Sequence, residues 1–250
     1  MPVGLMLTWP LVFLRAVGVV MLMPQMAGRS PPIMVRLGLA MCLATLLTGI
    51  VPAAHMPAGP FELIVAVVGE VALGLGLGFV AQIVFTAVDM AGRLASSEIG
   101  LSAAPGLGTP SVATEPLAGF LSAFSVILFF MVGAHYYVLS AFARSFYLAP
   151  PGLATLGPGA GKALIVQTGH LIEVGVRMAA PFLALNFLVN LAFSVLGRAV
   201  PRISVFVLSA PVRGIVGLGL FASAGALIAR YLYVEFADLP LRMLQLVGTR

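Results

Sequence analysis

Charge is what this chain has least of. Only 8% of its 250 residues are Asp, Glu, Lys or Arg, where a soluble domain carries about a quarter. So little polar surface cannot coat a folded particle in water, which leaves lipid as the solvent. Cysteine is nearly absent too: Cys42 stands alone, which excludes an intrachain disulfide and leaves packing as its role. The three histidines, His55, His135 and His170, lie far apart with no Cys/His pair at ligand spacing, so no metal site is indicated. There is no P-loop and no dinucleotide fingerprint, so ATP hydrolysis has to come from another protein. No cofactor is implied. The net charge of +5 does not point to nucleic acid, because no basic run of five or more residues occurs. The arginines sit at the ends of apolar stretches and read as interface anchors.

What is present is apolar sequence, 61% of the chain. A helix needs about 20 apolar residues to cross hydrocarbon, and about six stretches meet that length: 5–24, 33–51, 61–90, 117–142, 163–196 and 205–234. The expected fold is all-α, a polytopic membrane protein of long, partly kinked helices forming one helical membrane domain over 1–250. The third and fifth stretches exceed the bilayer and should tilt, kink or project, with Pro181 as the kink in the fifth. The first stretch lacks a basic leader and carries Arg15 inside it, so it is expected to be a true span and not a cleaved signal. Lys and Arg divide almost evenly between alternate connections, leaning only weakly towards the odd connections facing the cytoplasm and both termini facing away.

Proline and glycine interrupt the stretches at 24–32, 52–60, 105–116 and 150–158. The segment 96–116 is unusual, rich in Ser, Ala, Gly, Pro and Thr, too polar to span and too uncharged to seek water. Irregular backbone of this kind is tolerated at membrane depth only against protein or along a cavity; the alternative, which composition alone favours, is an ordinary exposed loop. Gly74 and Gly78 have the GxxxG spacing that lets another helix approach closely.

Ionisable groups inside apolar runs need a partner or a wet face. Asp89 with Arg93, and Glu173 with Arg177, stand at i,i+4 with the acid N-terminal, the favourable orientation, and mutual neutralisation is the simplest reading. Glu70 and Arg15 have no local partner and are expected to meet another helix or subunit. His170, Glu173 and Arg177 share one face of the fifth stretch, whereas Asn186, Asn190 and Ser194 lie almost opposite, which requires two neighbours. Asparagine bonds between membrane helices contribute about a kcal/mol or less, enough to orient helices. Ser102 and His135 invite comparison with the dyad of rhomboid intramembrane proteases. Ser102, however, is followed by Ala103, Ala104, Pro105 and Gly106, so it does not open a helix, and the other polar signatures of those proteases are missing.

Taken in order, several blocks resemble one family. They are Ala27-Gly28-Arg29-Ser30 through Arg36-Leu37-Gly38; Glu70 through Gly78-Phe79 with Gln82 and Phe85; Ala91-Gly92 through Gly100-Leu101-Ser102; Gly133-Ala134-His135 leading to Phe146 and Pro150-Pro151-Gly152; and Asn190-Leu191-Ala192 through Arg198, Pro201, Ser204 to Val207 and Pro211. Together they cover nearly the whole chain and resemble the FliR/SctT export-gate family of type III secretion.

The resemblance implies a core subunit of the flagellar export gate in the bacterial inner membrane. It would be part of the flagellar basal body, assembled with FliP and FliQ and adjoined by FlhB, and it would pass unfolded flagellar proteins. It also implies that part of the helical mass stands above the bilayer plane. The segment Gly100, Leu101, Ser102, Ala103, Ala104, Pro105, Gly106, Leu107, Gly108, Thr109 and Pro110 would plug the pore, although it lacks the bulky aromatic residues usual there. Glu70, Gly74, Gly78, Asp89, Arg93, Glu173, Arg177, Asn186, Asn190 and Pro211 would serve helix packing and assembly. No catalytic residue is required. The alternatives are a virulence-system homologue and a proton-coupled transporter using Glu70, Asp89 and Glu173, for which the internal repeats are missing.

Overall fold

The computed structural model describes residues 2–22, 31–101, 116–199 and 205–247. These form an all-α membrane protein: α1 (Pro2–Met21), α2 (Ile33–Thr48), α3 (Pro60–Ile99), α4 (Pro116–Met131), α5 (Ala134–Leu148), α6 (Ala160–Ala199) and α7 (Val205–Leu244). α3, α6 and α7 have 40 residues each, about 60 Å of helix, or twice the hydrocarbon thickness. Three helices, Pro60–Ile99, Ala160–Ala199 and Pro211–Leu244, are long and apolar enough to cross a membrane, whereas Met6–Met21 and α2 are shorter apolar helices.

The apolar stretch 117–142 is not one helix. α4 and α5 meet at a 70° bend at Gly133, whose φ of +75° glycine adopts without strain. The apolar run also ends before its helix does: α3 continues past residue 90 to Ile99, so the irregular segment expected from 96 begins four residues later. Its end is a Schellman cap. Gly100 has φ +81°, the Leu101 N–H donates to the Ser96 carbonyl and the Gly100 N–H to that of Ser97. Pro181 lies inside an unbroken α6.

The chain folds into two compact units. The first comprises Met1–Val84, Phe129–His170 and Val234–Arg250. Its core holds Val12, Ala16, Leu73, Leu77, Phe142, Phe146, Leu239 and Met243. Glycines bring α1 onto α3: a Cβ on Gly18 would lie 2.7 Å from the Gly74 backbone, and one on Gly78 2.9 Å from the Val19 carbonyl oxygen. The second unit comprises Phe85–Leu128 and Leu171–Tyr233. There Gly92 faces the backbone of Ala118, and Gly217 faces Ile99.

The outer surfaces remain strongly apolar. α2 exposes Ile33, Met34, Val35 and Leu46, and only 11% of the apolar window of α6 is buried.

Candidate functional site

In the first unit Arg15 and Glu70 sit at the α1–α3 contact with no exposed side-chain surface. Arg15 Nε donates to Glu70 Oε2 at 2.6 Å, its Nη1 to Ser145 Oγ at 3.1 Å and its Nη2 to the Ala149 carbonyl at 2.9 Å. The guanidinium also lies 4.1 Å from the centre of the Phe146 ring, a cation–π contact. Glu70 Oε1 accepts the Gly152 N–H at 2.9 Å, and Gly152, at φ +88°, follows the two prolines that end α5. One buried ion pair thus joins α1, α3, α5 and the connection after it. The sequence leaves Arg15 and Glu70 without local partners; their partners are each other, 55 residues apart.

The second unit contains a different polar chain. Asn186 Nδ2 donates to Glu98 Oε2, Asn190 Nδ2 to Asn186 Oδ1 at 3.1 Å, and Arg213 Nη2 to Asn190 Oδ1 at 2.7 Å. Glu98 occupies the last turn of α3, where the helix dipole disfavours negative charge. The Asn186 amide offsets that penalty and passes the carboxylate's influence to the Arg213 cation through a second amide. This links α3, α6 and α7 two residues before Gly100. Glu98 and Arg213 escape a sequence reading because their partners lie 88 and 23 residues away.

Asp89 and Arg93 pair at 2.8 Å and Glu173 and Arg177 at 2.6 Å, both on exposed helix surface. His170 reaches across to α7. Its Nε2 lies 2.8 Å from Glu235 Oε2 on α7, and Arg242 Nη1 approaches the same oxygen at 2.8 Å. Gly74 and Gly78 line the α1 contact, and Pro211 is exposed in α7. Of the segment expected to form the plug, Gly100 and Leu101 are described, whereas Ser102, Ala103, Ala104, Pro105, Gly106, Leu107, Gly108, Thr109 and Pro110 lie outside the described residues. No three His, Cys, Asp or Glu side chains among the described residues converge as metal ligands would.

The pattern described as bacterial export proteins, family 1, matches residues 6–239. The chain is 32% identical to flagellar biosynthetic protein FliR of Escherichia coli (strain K12), over 92% of this chain and 88% of that protein. It is 31% identical to flagellar biosynthetic protein FliR of Caulobacter vibrioides, over 92% and 94%. It is 30% identical to Yop proteins translocation protein T of Yersinia pestis, over 61% and 60%.

Proposed function

The chain belongs to family 1 of the bacterial export proteins, and from that membership we propose that it is a core membrane subunit of the flagellar type III export gate. The carrying observation is the extent of the match. Flagellar relatives align over 60–92% of the chain, three of them over 92%, whereas the virulence relatives align over 61%. In this reading the subunit sits in the bacterial inner membrane at the flagellar basal body. It assembles with FliP and FliQ beside FlhB, and passes unfolded flagellar proteins without a catalytic step of its own.

The structure supports an assembled role through what it leaves uncovered. Long helices whose apolar faces stay exposed, α6 above all, have area to offer neighbours as well as lipid. The ionisable groups a transporter would use to carry protons are paired: Glu70 with Arg15, Asp89 with Arg93, Glu173 with Arg177. The segment from Gly100 to Pro110 is assigned to the closed pore on the family resemblance. Small side chains there would move aside for a passing chain with little loss of packing. The test is purification of the tagged chain from membranes that also produce FliP and FliQ. A stable stoichiometric complex is expected, and a monodisperse chain free of both would refute the proposal.

A further inference from the structure

α5 has two unlike faces. Val138, Phe142, Ser145 and Phe146 are buried in the first unit, whereas Tyr136, Tyr137, Ser140, Arg144, Tyr147 and Leu148 are exposed. The exposed six form one stripe about 18 Å long, with 136, 140, 144 and 148 at successive i+4 steps and 137 and 147 beside them. Three of the chain's five tyrosines are on it, and Tyr136, Tyr137 and Tyr147 are 67%, 47% and 58% exposed. The Tyr147 hydroxyl donates to the Ile50 carbonyl at 3.1 Å. Arg144 and the hydroxyls of Tyr136 and Tyr137 make no hydrogen bond or ion pair with any described residue.

This stripe differs from the rest of the unit's outer surface, where α2 exposes Met34 and Leu46 and α3 exposes Ile64, Val65 and Val68, side chains that suit lipid. Its depth is fixed by the neighbouring ion pair. Arg15 ties Ser145 and Ala149 to Glu70, and Glu70 stands about ten residues, or about 15 Å, inside α3. The apolar run of α3 continues past that point as far as Asp89. Arg144 therefore lies beside the apolar length of a membrane-crossing helix and not at its end, where tyrosine and arginine serve as headgroup anchors. An unpaired guanidinium facing hydrocarbon at such a depth is costly and needs a partner.

We propose that this face of α5 is the docking surface for a segment of another membrane subunit that presents a carboxylate to Arg144. The inference rests on the assembled role proposed above. Tyrosine and arginine are enriched where proteins meet, and the Lys, Glu and Asp that are depleted there are missing from the stripe. Arg144 is its one charge, so the complementary group is an acid, worth most where water is excluded. A second copy of this chain meeting the stripe face to face would bring no acid and would leave both guanidinium groups unpaired.

The test places a photo-crosslinking residue at position 140 of the full chain, produced in its host's membranes. It should label a polypeptide, and the labelled peptide should carry an Asp or Glu. Arg144→Glu, a change at an exposed site, should lower the adduct about tenfold or more, and reversing the partner's acid to Arg should restore it. Labelling of phospholipid, no adduct, an adduct peptide without an acid, or a yield unchanged in Arg144→Glu would each overturn the inference. If the chain binds FliP and FliQ while position 140 labels no polypeptide, this inference fails and the export reading stands. An acid-bearing adduct in a chain that binds neither would support the docking surface and refute the export reading.

Discussion

Arg15 on α1 and Glu70 on α3 lie 2.6 Å apart with neither side chain exposed to solvent, and each has further partners on or just after α5. Taking two charges out of water is costly, and only their mutual attraction and the surrounding hydrogen bonds offset it. The pair therefore fixes which helices meet more than it adds net stability.

The first prediction follows from that asymmetry. Glu70→Ala leaves a buried guanidinium uncompensated and should destabilise the chain by about 3–5 kcal/mol. The double variant Arg15→Met with Glu70→Leu should recover most of that loss. Thermal unfolding in detergent checks both; a double variant as unstable as Glu70→Ala would show that the charges themselves are required.

Sequence and structure agree where interactions are local. The i,i+4 pairs of Asp89 with Arg93 and Glu173 with Arg177 could be read from spacing, as could the close-packing glycines Gly74 and Gly78, because helical periodicity alone places those residues. The 70° bend at Gly133 could not. Hydropathy stays high across it, and a change of direction leaves no mark on composition. Nor could the true end of α3, since Arg93, Ser96, Ser97 and Glu98 lower the apolarity without breaking the helix. The partners of Arg15, Glu70 and Glu98 are set by tertiary packing between residues far apart in the chain, which no periodicity encodes.

Gly18 gives the second prediction. A Cβ there would stand 2.7 Å from the Gly74 carbonyl carbon and the Leu75 nitrogen, rigid backbone atoms with nowhere to go. Gly18→Val should force α1 off α3 and lower stability by about 1–3 kcal/mol, whereas Gly219→Ala, with nothing within 4 Å, should change it by less than about 0.5 kcal/mol. Comparing the two by protease resistance in detergent checks this.

A third prediction concerns the end of α3. Gly100→Ala puts a side chain at φ +81°, costing about 1–2 kcal/mol, and Gly100→Asn should cost less because asparagine tolerates this conformation. Equal unfolding midpoints for the two variants would contradict the Schellman geometry.

The Glu98–Asn186 bond supplies a fourth. Asn186→Ala should cost about 1 kcal/mol when Glu98 is present, and less in a Glu98→Gln background, where the carboxylate no longer needs its donor. A double-mutant cycle measures the coupling, and additive effects would mean that the two residues act separately.

The export role is tested most directly in cells. The gene for this chain is deleted from its host, and flagellar protein released into the medium is measured with and without a plasmid copy. The account predicts that release stops and that the intact chain restores it, while a chain carrying Glu70→Ala restores little. Undiminished release in the deletion strain would contradict it.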